Sequence, residues 1–334
     1  MSEQKITVAQ RMQNFATLTR QHMHMIPKQV ATAENTTLQF LYPKTRLLAQ
    51  TFLKVDVVVA SGQAKENESP FDKYGILRKI TMDLNNGFSP VVMSGKELAM
   101  FNSIATHSQK VTGNEGMIEG DATKYSFVLE IKNTLNDSML QGLILLQNNA
   151  TMVTLNVDIG KVTDALASGT LTSVTVQPMI VTYSVPGVPQ AFPDISVLKL
   201  MQARTTTFNS GGENVVYLDT GTIYRKLAFY VTDENGAPLK AEDINGEIQL
   251  AFNTADIPYS ITAPMLRMLN ADQFGRRLPD GYFVFDFSSQ SPLIGYGGSR
   301  DYIDTEKLTQ FTLKVNTANA CKITTITEQL SRLQ

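Results

Sequence analysis

The spacing of apolar positions along the chain changes near residue 35. Before that point Val8, Met12 and Phe15 recur at i, i+4 and i+7, with Leu18 at the edge of the same stripe and Gln10, Gln13, Asn14 and Thr17 opposite. That spacing predicts a short amphipathic helix, and Pro27 ends any helical continuation. From residue 35 onward the pattern is strand-like. Residues 51–59, Thr-Phe-Leu-Lys-Val-Asp-Val-Val-Val, form a β-branched run that alternates in its first half and stops at Ser61-Gly62. Further strands are expected at 76–84, 125–132, 140–147, 152–159 and 172–185. Turn signals at Asn85-Asn86-Gly87, Gly113-Asn114, Asn136-Asp137 and Asn148-Asn149 separate most of them. One helix interrupts the series at 94–106: Ser94-Gly-Lys-Glu97 has capping-box spacing, and Leu98, Phe101 and Ile104 or Ala105 supply an apolar face. Short strands, frequent turns and few helices indicate an antiparallel β-sandwich or barrel.

The second half repeats the order of the first. Ile76-Leu-Arg-Lys-Ile and its Asn-Gly turn resemble Ile223-Tyr-Arg-Lys-Leu and Asn235-Gly236. The 94–106 helix is answered near 262–270, where Pro264 suits a first helical turn. Tyr125-Ser-Phe-Val-Leu-Glu-Ile131 is answered by Tyr282-Phe-Val-Phe-Asp-Phe287, and Thr154-Leu-Asn-Val157 by Thr312-Leu-Lys-Val315. Four matches in one order, roughly 150 residues apart, indicate a duplicated β-domain. Between the copies, Val185-Pro-Gly-Val-Pro-Gln-Ala-Phe-Pro193 carries three prolines and reads as a stiff connector. The expected organisation is an N-terminal arm at 1–34, a first domain at 35–185, a connector with a short helix (195–203) at 186–205, and a second domain at 206–334.

Composition narrows the function. The 334 residues are 43% hydrophobic, with 29 Lys+Arg against 31 Asp+Glu, which argues for a globular chain and against a dedicated nucleic-acid binder. One cysteine, Cys321, and three histidines leave no disulfide or zinc framework. No apolar run approaches the ~18 residues of a transmembrane helix, and no apolar leader precedes the charged N-terminus, so manufacture without Sec export is expected. Motifs of hydrolases, zincins and nucleotide-binding loops are missing. His22 and His24 flank Met23 on a basic segment, a poor metal site; His107 reads as a solvent or cap residue and Cys321 as a buried thiol. Glu130 or Asp286 could be offered as a glycosidase carboxylate, but each reads as a solvated strand position. Arg78-Lys79 and Arg225-Lys226 read as salt-bridged strand edges or subunit contacts. No catalytic, metal or cofactor site is expected.

Charge is uneven, however. Between Gln4 and Ala33 there are Lys5, Arg11, Arg20 and Lys28 and no carboxylate. Two readings compete: a helix packed on its own domain, or a basic amphipathic arm against an anionic surface, where each cation contributes about 1 kcal/mol.

Taken together, the basic N-terminal helix, the two tandem sandwiches with a helix in each and the Pro-rich connector resemble the double jelly-roll major capsid proteins of tectivirus-like, membrane-containing bacteriophages. Gln50-Thr-Phe-Leu-Lys-Val-Asp-Val-Val-Val59 is similar to that family's opening strand, and Pro70-Phe-Asp-Lys-Tyr-Gly-Ile-Leu-Arg-Lys-Ile80 with Ser94-Gly-Lys-Glu-Leu98 resembles the approach to its first inserted helix. The resemblance implies an all-β fold of two antiparallel jelly rolls, each with an inserted helix, plus an N-terminal helix. It also implies a non-enzymatic subunit, made in a host cytoplasm and located in the virion, that forms a homotrimer of six similar barrels tiling an icosahedral shell. Neighbouring capsomers, penton or vertex proteins and minor capsid proteins would be its partners, with no sequence-specific nucleic acid. Lys5, Val8, Arg11, Met12, Phe15, Leu18, Arg20 and Lys28 would face inner-membrane lipids, and deletion of 1–28 should leave a soluble trimer but impair particle assembly or membrane association. The helices at 94–106 and 262–270 are the expected intersubunit contacts. The rival reading is a two-domain carbohydrate-binding or glycan-processing sandwich, against which the absence of tryptophan weighs.

Overall fold

The computed structural model describes residues 7–66, 69–85, 87–104, 118–135, 141–147, 151–193, 195–253, 256–289 and 302–332. Lys5, His107 and the turns expected at 113–114, 136–137 and 148–149 lie outside them. Along the first half run α1 (Val8–Leu18), β1 (Gln21–Met25), β2 (Gln29–Ala31), β3 (Thr37–Leu41), β4 (Leu47–Gln63), β5 (Leu77–Leu84), β6 (Phe88–Met93) and α2 (Gly95–Ser103). They are followed by β7 (Ile118–Gly120), β8 (Lys124–Lys132), β9 (Ile144–Leu145), β10 (Val153–Ile159), α3 (Val162–Ala165) and β11 (Ser168–Tyr183). The second half holds β12 (Val197–Phe208), β13 (Gly212–Leu218), β14 (Ile223–Asp233), β15 (Ile244–Phe252), β16 (Asp256–Thr262), α4 (Ala263–Phe274), β17 (Tyr282–Asp286), β18 (Ile303–Asp304), β19 (Phe311–Thr317) and β20 (Cys321–Arg332).

Two facing sheets make each half. In the first, β1-β11-β4-β8 stand in one sheet and β3-β10-β5-β6 in the other; in the second the sheets are β12-β20-β14-β17 and β13-β19-β15-β16. Counting β1 and β2 as one strand and leaving out the short β7, β9 and β18, both halves have the strand orders 1-8-3-6 and 2-7-4-5. The halves are therefore two copies of one jelly roll. A short parallel pairing of β6 with β12, Met201 opposite Val91 and Gln202 opposite Val92, fuses a sheet of each barrel into one continuous middle sheet.

Alternation drives the packing. On β4, Leu53, Val55, Val57 and Val59 are buried in the first barrel while Lys54, Asp56 and Val58 point the other way. In the second barrel Leu227, Phe229 and Val231 meet Leu313, Val315 and Ile248. Each such side chain stabilises by about 1.5–3 kcal/mol on full burial. Cys321 is buried in this second core, beside Asn214 at 3.4 Å, and burial pushes its thiol pKa up.

Several expectations need correction. The strands begin at Gln21, not at residue 35: β1 and β2 pair with β11 and fill the first strand position of barrel one, so the stretch 21–31 belongs to the barrel and not to an arm. Residues 195–203 are not helical. Leu198 and Met201, three residues apart, mimic a helical stripe, but twelve consecutive residue pairs with β20 hold this segment extended, and among the described residues of the connector the helical turn is the 3-10 turn at Pro189–Ala191. The strand expected over 140–147 shrinks to Ile144–Leu145 among the described residues. Finally, the Arg-Lys match pairs unlike strands, since β5 is fourth in its barrel and β14 third in its own. Both lead into turns built on asparagine with positive φ or glycine, Asn85 at 55° and Gly236 at 90°, so local turn chemistry produced the likeness. The other three matches join topologically equivalent elements.

Candidate interaction surfaces

Helix α2 begins with both halves of its capping box in place: Glu97 N–H donates to Ser94 Oγ at 3.2 Å and Ser94 N–H to Glu97 Oε2 at 2.6 Å. Gly95 lets it start hard against the preceding loop, where a β-carbon would stand 2.4 Å from the Tyr74 carbonyl oxygen. With its amide turned to satisfy both atoms, Asn102 donates to the Glu130 carbonyl at 2.9 Å and accepts from Glu130 N–H at 2.7 Å, which ties α2 to β8.

Six of the nine residues of α2 are buried, Gly95, Leu98, Ala99, Met100, Phe101 and Ser103. Leu98 fills its own barrel, while Met100 and Phe101, 1% and 7% exposed, meet the second barrel. Tyr282 Oη donates to the Met100 carbonyl at 2.8 Å, Arg276 to that of Ser103, and Lys199 Nζ sits 5.6 Å from the Phe101 ring centre. The expectation that residues 94–106 contact another subunit is thus corrected over Gly95–Ser103, which form the wedge between the two barrels of one chain. Its apolar face is already spent.

Beside the wedge lies a buried charge network. Glu328 is 3.0 Å from Lys199 and 3.5 Å from Arg225, and Lys226 pairs with Asp286 at 3.4 Å. Burial alone would raise the Glu328 pKa, but Lys199, Lys226 and Arg225 outweigh it and hold the carboxyl below its ordinary range. Arg225 and Lys226 are thus salt-bridged as expected, on an inner strand and not an edge, Asp286 is buried and not solvated, and Glu130 accepts a 2.7 Å hydrogen bond from Gln50. Arg78 of the other Arg-Lys pair bonds Asn35 at 3.0 Å. Among the described residues no three His, Cys, Asp or Glu side chains gather as a metal site.

Helix α4 occupies the equivalent place in the second barrel. Asn270 donates to the Val284 carbonyl at 2.8 Å and accepts from Val284 N–H at 2.9 Å, tying α4 to β17 as Asn102 ties α2 to β8. Leu266 is buried like Leu98. Yet Met265, Met268 and Leu269, at i, i+3 and i+4, are 49%, 70% and 47% exposed.

The outer face of the β1-β11-β4-β8 sheet is likewise open in part. At one end α1 covers it: Phe15 is buried against Leu47, Ala49 and Leu143, and its ring stands edge-on to Tyr183 at 5.4 Å. Thr7 and Gln10 cap that helix reciprocally. Of the residues expected to face lipid, Met12 is half-buried, whereas Arg11, Leu18, Arg20 and Lys28 are exposed, and Val8 opens the helix. The backbone of Arg20 is held by Ser184 on both sides, at 2.9 and 3.0 Å. The reading of a helix packed on its own domain thus holds for the apolar side, and the basic side stands in solvent. Beyond α1 the same sheet face carries the cross-strand row Met25–Met179–Phe52 and the neighbouring Val128.

No family model and no curated protein sequence matches the chain. Its structure does match solved ones end to end. The STIV major capsid protein aligns over 94% of this chain and 97% of its own at 12% identity, with a TM-score of 0.70. The PBCV-1 virus capsid aligns over 93% and 94% at 8% identity and 0.69, and the major capsid protein of bacteriophage PM2 over 94% and 98% at 10% and 0.58. The chain has the double jelly-roll fold of viral major capsid proteins. Within that double jelly roll, the residue-level signal missing from the sequence reading is Leu98-Ala-Met-Phe-Asn102 against Leu266-Arg-Met-Leu-Asn270, the same pattern in each inserted helix.

Proposed function

We propose that this chain is a major capsid protein, a structural subunit without catalytic activity that trimerises so that six similar barrels tile a virion shell. The observation that carries the reading is the duplicated strand order filling the chain and matching solved capsid proteins over nine-tenths or more of both partners. Six near-equivalent barrels around a threefold axis approximate a hexagon, the shape that paves flat facets. Other copies, vertex proteins and minor capsid proteins are its partners in this reading. The exposed Arg11, Arg20 and Lys28 beside α1 suit the surface of an inner membrane.

The test is the purified full-length chain in solution: a mass of three chains with six-barrel particles in electron microscopy supports the reading, and a monomer that binds glycans supports the carbohydrate-binding rival. Deleting residues 1–28 is no longer a clean probe of the arm. It would remove β1 and uncover Leu47, Ala49 and Tyr183, so charge substitution replaces truncation.

A further inference from the structure

The two inserted helices are equivalent in fold and unequal in burial. Aligned on the asparagines that grip the sixth strand of each barrel, Met100 and Phe101 of α2 correspond to Met268 and Leu269 of α4. The first pair is sealed against the β12-β20-β14-β17 sheet of barrel two; the second stands in solvent with Met265. A helix face that is half apolar and uncovered calls for a partner.

The same alignment locates a matching seat. In barrel two the sheet face that receives α2 carries the cross-strand row Ala203–Ile326–Ala228–Val284. Because Val284 corresponds to Glu130, the equivalent row in barrel one is Met25–Met179–Phe52–Glu130. Tyr282, which bonds the Met100 carbonyl, corresponds to Val128, 38% exposed. So each chain has one used helix-and-sheet contact between its barrels, one unused helix face on barrel two, and one unused sheet face on barrel one.

We propose that the Met265–Met268–Leu269 face of α4 docks on the Met25–Met179–Phe52 row of a second copy, repeating between chains the contact that α2 makes within one. The contact is head-to-tail. Donor and acceptor surfaces differ, so it propagates around a ring and closes where the rotation allows. This rests on the capsid reading for the ring of three, and it names the surfaces that build the ring.

The test uses the full-length chain and light scattering, with circular dichroism to confirm folding. Met268→Asp lies at an exposed position and should fold like the parent while its mass falls from three chains to one. A trimeric parent with an equally trimeric Met268→Asp variant overturns the inference and leaves the capsid reading standing; a monomeric parent overturns both. As a second arm, Met268→Cys combined with Val128→Cys, treated with a short bismaleimide, should give covalent trimers, while each single cysteine gives none because a head-to-tail contact never brings identical positions together. Covalent dimers from Met268→Cys alone, or no cross-link in a trimeric double variant, would contradict it.

Discussion

Asn102 and Asn270 make the same pair of hydrogen bonds, each to both backbone groups of one residue on the sixth strand of its own barrel, Glu130 and Val284. The two asparagines fix how each inserted helix leaves its barrel, and thereby which side chains face outward. Replacing Asn270 with Ala leaves the Val284 N–H and carbonyl unpaired in a buried site, at a cost of about 1–3 kcal/mol. Urea unfolding of Asn270→Ala should show that loss.

Truncation should separate the two helices sharply. Phe101→Ala opens a cavity between the barrels and is expected to cost about 3–5 kcal/mol. In the single chain, Met268→Ala at the equivalent helix falls within about 0.5 kcal/mol, the ordinary range for an exposed side chain. Denaturation curves of both variants at a concentration where the chain is monomeric check the contrast.

Acid should loosen the seam. The Glu328 pKa is depressed in the folded chain, so its contribution to stability is complete above the ordinary carboxylate range and is lost as pH falls through that range toward the folded value. Glu328→Ala leaves Lys199, Lys226 and Arg225 facing a buried gap and should cost about 3–5 kcal/mol near neutral pH. Thermal melts from about pH 7 to about pH 3 should fall less steeply for Glu328→Gln than for the parent.

The N-terminal segment splits into separable roles. Phe15→Ala should release α1 from Leu47, Ala49 and Tyr183, exposing the helix to proteolysis. Changing Arg11, Arg20 and Lys28 together to Gln should leave the melt unchanged while weakening binding to anionic vesicles by about 1 kcal/mol per charge at low salt. Vesicle co-sedimentation of the two variants against the parent distinguishes docking from membrane attraction.

Much of this architecture was legible before the structure, for identifiable reasons. The capping box at Ser94 and Glu97, the alternation in β8 and the recurrence of β10 in β19 are local or short-period signals. What escaped depended on distant neighbours. β1, Gln-His-Met-His-Met, lacks β-branched residues and is exposed along most of its length, so nothing in its own pattern announces a strand until β11 is beside it. β12 carries a helical stripe that pairing with β20 overrules. The apolar face of α2 resembles a subunit contact in sequence, and only the position of barrel two reveals it as an internal wedge. Asp286 likewise reads as a solvated strand carboxylate until Lys226 is placed against it.

The most direct test of the shell-tiling reading is electron microscopy of the purified full-length chain, with its mass in solution. Particles of three 36.9 kDa chains showing a hexagonal outline of six barrels are expected. A population of isolated two-barrel monomers at every concentration examined would contradict it.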